Sequence, residues 1–232
     1  MDAVSETGSG FSRGPCGVIF DLDGTLLDTL RDIAAAANRV LLELGYPEHS
    51  MADYRFLVGD GVRVLFQRAL PDGTGTERVV DRCVELFERH YAATWDRTST
   101  PYAGIQSLLE LLERRGIPMA VLSNKPHEFT VQCVSRFFAP GQFDPVLGQR
   151  PHVARKPDPA GVDEICTHWG MSAGRVFYLG DTNTDMWTAS AAGCVAVGVT
   201  WGFRAASELE ASGARFLIDE PVELLQLLDS VG

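Results

Sequence analysis

Two rhythms of apolar residues alternate along most of the chain. Short runs of Val, Ile, Leu and Phe at residues 17–20, 117–122, 175–179, 194–199 and 216–218 read as buried strands. Between them apolar residues recur every three or four positions, as in Ile105, Leu108, Leu109 and Leu112, or Phe129, Cys133, Val134, Phe137 and Phe138. That spacing is one face of a helix. Gly116 stops the first of these helices and Pro126 opens the second. A short strand at 145–147, helices at 159–169 and 184–192, and a closing helix at 222–228 complete the pattern. Strands alternating with helices predict an α/β fold, a doubly wound and mostly parallel sheet with a Rossmann-like core.

Residues 29–95 follow a different rule. They contain no convincing strand, and helical spacing dominates at 33–44, 62–70 and 77–91, with Gly59-Asp60-Gly61 and Gly73-Thr74-Gly75 as punctuation. An all-helical insert directly behind the first strand's loop predicts a cap over a core formed by 17–28 and 96–232. The alternative is a helical subdomain with no part in binding. Residues 1–16, rich in Gly and Ser and without an apolar h-region, are expected to be an unstructured lead-in rather than a secretory signal.

Charge and composition narrow the partners. A net charge of −11 over 232 residues argues against nucleic acid, whose backbone needs a basic patch. A local cluster of metal, Lys and backbone N–H groups can still hold a small anion against that global field. No apolar run reaches the ~20 residues that span a bilayer, so no membrane partner is expected. The five cysteines are scattered, odd in number and without a C-x-x-C pair, which fits reduced thiols in a cytoplasmic protein. The histidines have no metal-ligand spacing, His127 alone standing near a candidate phosphate loop. Trp169, Trp187 and Trp201 are expected in or at the edge of the core. Gly8-Ser9-Gly10 lacks the Lys-Ser or Lys-Thr of a P-loop.

The chemistry begins at Asp21-Leu22-Asp23-Gly24-Thr25, directly behind the first strand. In open α/β sheets ligands bind beyond the carboxyl ends of strands. Two carboxylates held there can ligate a hard cation such as Mg²⁺ together with substrate phosphate oxygens. They also put a nucleophile beside an acid/base. Ser123 and Asn124 end another strand ahead of a helix, where a hydroxyl and backbone N–H groups bind phosphate oxygens or simply cap. Asp181 and Asp185 stand four residues apart at a helix start, suited to one cation, to capping, or to both.

Four motifs in one order resemble the haloacid dehalogenase superfamily of phosphohydrolases. They are Asp21-Leu22-Asp23-Gly24-Thr25-Leu26-Leu27-Asp28-Thr29, Val121-Leu122-Ser123-Asn124-Lys125, Arg155-Lys156-Pro157-Asp158-Pro159 and Leu179-Gly180-Asp181-Thr182-Asn183-Thr184-Asp185. The resemblance covers residues 17 to about 218. It implies that Asp21 is the nucleophile of an aspartyl-phosphate mechanism and that Asp23 is the general acid, then base. It also implies that Ser123, Asn124 and Lys156 serve phosphate, Ser123 and Lys156 being counted with the catalytic set. Asp21, Asp181, Asp185 and the backbone carbonyl of Asp23 would hold Mg²⁺.

Val58-Gly59-Asp60-Gly61-Val62 with Arg68-Ala69-Leu70, and Gly198-Val199-Thr200-Trp201-Gly202-Phe203, are similar to the phosphoglycolate phosphatase branch. Ser123 stands where Thr is common there, and 149–153 lacks the usual acidic stretch. Gly61, for close backbone approach, and Arg63, for a substrate carboxylate, are the candidate cap contacts. The implied activity is hydrolysis of a small phosphorylated metabolite by a monomer or homodimer. A phosphomutase of the β-phosphoglucomutase type, a pyrophosphatase, a general small-metabolite phosphatase and a non-catalytic binding protein are the other readings.

Overall fold

The structure, a computed structural model, describes residues 16–231, so the expected lead-in lies almost wholly outside the described residues. Strand β1 (Gly17–Phe20) is buried along its whole length and runs straight into the Asp21 loop. The chain then forms the short strand β2 (Leu27–Asp28) and leaves the sheet for helices α1 (Leu30–Glu43), α2 (Met51–Leu57), α3 (Val62–Ala69) and α4 (Glu77–Ala92). It returns through β3 (Thr100–Pro101), antiparallel to β2, with Asp28 opposite Thr100.

The four helices pack on an apolar cluster including Val40, Leu41, Tyr54, Phe66, Leu86 and Tyr91, which Phe203 joins from behind the sheet's strands. Helix α2 was not expected from spacing. Its polar first turn is held by a capping box in which the Ser50 hydroxyl accepts from Asp53 N while the Asp53 carboxylate accepts from Ser50 N. Asp32 of α1 accepts from the main-chain N–H groups and hydroxyls of both Thr98 and Ser99, which pins the returning segment to the outgoing one.

The remainder alternates as the apolar rhythm predicts. Helix α5 (Ile105–Arg114) leads to β4 (Met119–Pro126), α6 (His127–Phe137) to β5 (Val146–Gln149), and α7 (Ala160–Trp169) to β6 (Val176–Gly180). Helix α8 (Asn183–Ala192) is followed by β7 (Val195–Val199), the short α9 (Ala206–Ala211), β8 (Phe216–Ile218) and α10 (Glu223–Val231). Six strands form one sheet in the order β5-β4-β1-β6-β7-β8, every pairing parallel. Apolar clusters cover its two faces, one around Phe20, Val121 and Leu179, the other around Ile19, Ala120 and Tyr178.

Neighbouring residues of a strand thus serve opposite faces, and both faces are buried, as parallel sheets require. The winding reverses at β1, which lies between β4 and β6. A crevice therefore opens where the loops behind these strands diverge. Trp187 departs from expectation: it lies on the solvent side of α8 and is 47% exposed. Among the described residues no helix is long and apolar enough to cross a membrane.

Candidate active site

Asp21 leaves β1 with its main-chain N–H still bonded to Leu179 O of β6, at 2.9 Å. The loop then curls back through Gly24, whose N–H donates to Leu27 O and whose φ is +91°, a conformation open to glycine. A Cβ on Gly24 would collide with the Asp181 carboxylate, as would one on Gly202 with the Asp181 side chain. These two glycines are what allow the first and fourth motifs to meet.

The carboxylates of Asp21, Asp181 and Asp185 are buried and offer ligand atoms within 4.8 Å of one another. Lys156 joins them, its Nζ 2.8 Å from Asp21 Oδ1 and 2.7 Å from Asp185 Oδ1, and it donates to Leu122 O. Burial pushes Asp21 up to about 7, with Lys156 opposing and Asp185 reinforcing the shift. Asp181 is also raised well above the ordinary carboxylate range by burial and by Asp185 and Asp21, against the Phe203 N–H and Thr25 hydroxyl that it accepts from. Burial alone would lower Lys156, but Asp185 and Asp21 outweigh it and hold the amine well above its usual range.

Asp21 Oδ1 is buried and has no aligned hydrogen-bond donor, despite the nearby ammonium. A buried oxygen with lone pairs to spare beside two more carboxylates is the donor set of a hard cation, so these residues fit Mg²⁺. Asp185 has two duties at once. Its Oδ2 closes a capping box with Thr182 at the start of α8, and its Oδ1 takes Lys156.

Ser123 and Asn124 come from the end of β4. Ser123 accepts from Lys125 N through its hydroxyl. The Asn124 side chain accepts from Lys156 N at 3.0 Å and donates to Lys156 O and Gly59 O. Its amide thus braces the Lys156 segment and the insert rather than standing free. His127 accepts from Gly148 N and so serves the β5 edge.

Above these groups the insert forms a roof. A cleft lies between them, with Asp21, Asp23, Ser123, Asn124 and Lys125 on the floor. Val58, Gly61, Val62, Leu65, Phe87 and Tyr91 form the facing wall. Gly61 lines that wall with φ +86°. Arg63 does not line it: two residues beyond Gly61, on α3, its side chain is 40% exposed and paired with Asp81, so its charge is spent outside the cleft.

Three features escaped the sequence. Lys125 is buried and donates to both oxygens of Asp23 and to Tyr91 OH. Thr184 Oγ1 donates to Asp60 Oδ1 of the insert. Arg204, buried behind β7, donates to Val58 O and Phe56 O. A charged residue closing an apolar strand, as in Val121-Leu122-Ser123-Asn124-Lys125, was the one available signal. Nothing in the spacing marks the other two.

Comparison with known proteins agrees with this geometry. The family model described as haloacid dehalogenase-like hydrolase matches residues 18–199. A phosphoglycolate phosphatase of Pseudomonas putida is 34% identical over 90% of this chain and 78% of its own. One of Vibrio parahaemolyticus is 32% identical over 91% of this chain and 95% of its own. The crystal structure of a candidate phosphoglycolate phosphatase from Lactobacillus delbrueckii subsp. bulgaricus superposes with a TM-score of 0.86 at 30% identity, covering 91% of this chain and 97% of that one. With its motifs converging at the switch point of the sheet and the family model matched over residues 18–199, this chain belongs to the haloacid dehalogenase-like hydrolases.

Proposed function

We propose that this protein is a Mg²⁺-dependent phosphomonoester hydrolase acting through an aspartyl-phosphate on a small phosphorylated metabolite, 2-phosphoglycolate being the leading substrate. The observation that carries the reading is Asp21 standing 2.8 Å from Lys156 within a cluster of three buried carboxylates. The Asp21 carboxylate is the nucleophile: its oxygen bonds to phosphorus as the bond to the ester oxygen breaks. Asp23 gives the departing alkoxide its proton and later takes one from water. The Ser123 hydroxyl, the Asn124 segment and the Lys156 ammonium hold the phosphate oxygens.

Asp21, Asp181, Asp185 and the main-chain carbonyl of Asp23 would hold Mg²⁺, which when bound neutralises charge on phosphate and in the transition state. Residues 29–95 act as a cap that excludes bulk water. The substrate class is supported by the named relatives. A cytoplasmic location is supported by five free cysteines and by the lack of a membrane-spanning helix among the described residues.

The test is a panel of 2-phosphoglycolate, hexose phosphates and pyrophosphate, assayed with Mg²⁺ and after EDTA, alongside acid-quenched labelling of wild type and Asp21→Asn. Mg²⁺-dependent release of phosphate from 2-phosphoglycolate, with label absent from Asp21→Asn, is expected. Full turnover in EDTA would overturn the metal role, label in Asp21→Asn the nucleophile, and return of phosphate to a hexose the hydrolase reading.

A further inference from the structure

A second buried ammonium stands in the cleft, separate from Lys156. The Lys125 side chain is 5% exposed, with Nζ 2.9 and 3.0 Å from the two oxygens of Asp23 and 2.8 Å from Tyr91 OH. Thr29 Oγ1 adds a donor to Asp23 Oδ1 at 2.7 Å. Asp23 thus accepts at both of its carboxylate oxygens. Its plane is set by groups on three segments: its own loop, the end of β4, and α4 of the insert.

Tyr91 is itself fixed. Its ring stacks on Phe87 at 5.1 Å and meets Phe129 edge-on at 5.2 Å. The Lys125 ammonium lies 4.7 Å from the centre of the same ring. The orientation of the Asp23 carboxylate is thus fixed through Lys125 by a side chain that is itself held.

We propose that Lys125, braced by Tyr91, is a positioning residue of the second half-reaction, holding the Asp23 carboxylate in the orientation from which it takes the proton of the attacking water. The inference rests on the two-step reading above. In that step the water oxygen bonds to phosphorus and its proton passes to Asp23. The bond from phosphorus to Asp21 breaks, its electron pair returns to the Asp21 carboxylate, and inorganic phosphate leaves. Lys125 gives and takes nothing. It acts through Asp23.

Rapid-quench kinetics with p-nitrophenyl phosphate and Mg²⁺ separate the halves, because p-nitrophenolate leaves without a proton. Wild type, Lys125→Met, Lys125→Arg, Tyr91→Phe and Asp23→Asn are compared, each checked for folding by thermal melt. Lys125→Met should release about one p-nitrophenolate per site at the wild-type rate, the burst of a covalent intermediate. Its steady state should then fall on the order of 10²-fold, the lower range for a proton-transfer contribution. Phosphoenzyme should accumulate, and Lys125→Arg should recover part of the rate. Tyr91→Phe, which loses one hydrogen bond, should slow the second step about three- to tenfold.

Equal slowing of both steps in Lys125→Met, or no slowing of either, overturns the assignment. Should Lys125→Met not fold, Tyr91→Phe must itself accumulate phosphoenzyme or the assignment falls. Asp23→Asn distinguishes the levels. If it fails to accumulate phosphoenzyme, the base role of Asp23 falls and the inference with it. If it accumulates phosphoenzyme and Lys125→Met does not, the role of Lys125 alone is lost.

Discussion

Thr184 of α8 and Asp60 of the insert meet directly, the threonine hydroxyl donating to Asp60 Oδ1 at 2.5 Å. Thr184 is the neighbour of Asp185 on α8, and Asp60 lies between the two glycines of the insert loop, so one bond ties the roof to the carboxylate cluster. Arg68 takes the other oxygen of Asp60, and the two donors hold its carboxyl below its ordinary range although burial opposes them.

Replacing Thr184 with the near-isosteric Val should loosen that tie without disturbing the core. The loss of one hydrogen bond, about 1 kcal/mol, should appear as a several-fold higher KM with kcat largely kept. Faster proteolysis at residues 59–61 should accompany it. An unchanged KM with a much lower Tm would mean that the bond serves folding instead.

The acidic cluster makes stability depend on pH in an unusual direction. Asp21 has a folded-state pKa of about 7, against 3.8 for the ordinary side chain, and Asp181 is shifted the same way. Between those two values the folded state binds more protons than the unfolded one, so stability falls as pH rises. In EDTA, Tm should therefore decline between about pH 4 and 7 from these groups. Mg²⁺ should restore it most at the upper end, where the carboxylates are ionised. Melts across that range with and without Mg²⁺ check both slopes, and Asp21→Asn should flatten the metal-free one.

Among the described residues, Lys156 is the one cation paired with Asp21 and Asp185. Lys156→Met would leave both carboxylates buried without it, a class of change that costs roughly 3–5 kcal/mol. Urea unfolding of the metal-free variant at neutral pH should detect a loss of that size. The loss should shrink as pH falls and the carboxyls protonate.

Arg63→Ala should leave 2-phosphoglycolate and p-nitrophenyl phosphate turnover equally unaffected, since Arg63 faces Asp81 and solvent rather than the cleft. A selective fall in kcat/KM for the carboxylate-bearing substrate would show that Arg63 swings inward during turnover.

The alternation of strand and helix was legible because strands buried on both faces read as unbroken apolar runs, as in Gly17–Phe20 and Val195–Val199. The Asp21, Ser123 and Asp181 motifs were legible because each sits at or behind the end of such a run, where topology brings strand ends together. Lys156, in the loop between β5 and α7, was legible only through the family resemblance. Helix α2 was missed because its turn is held by Ser50 and Asp53, polar residues with no periodic signature. Arg63 was misjudged because it has the charge of a carboxylate contact and a place near Gly61, and the sequence carries no sign that Asp81 waits as its partner. Lys125 had no reading because its meaning lies in Tyr91, 34 residues away and brought near only by packing.

The paired strands β2 and β3 put the two ends of the helical insert side by side, Asp28 opposite Thr100, with Asp32 gripping Thr98 and Ser99 just above. Everything from α1 to α4 hangs from this neck, while the six-stranded sheet is built from segments outside it. The neck makes the insert a cassette. A different helical module could be spliced at these two points, renewing the roof of the cleft while the carboxylates and lysine beneath keep their spacing.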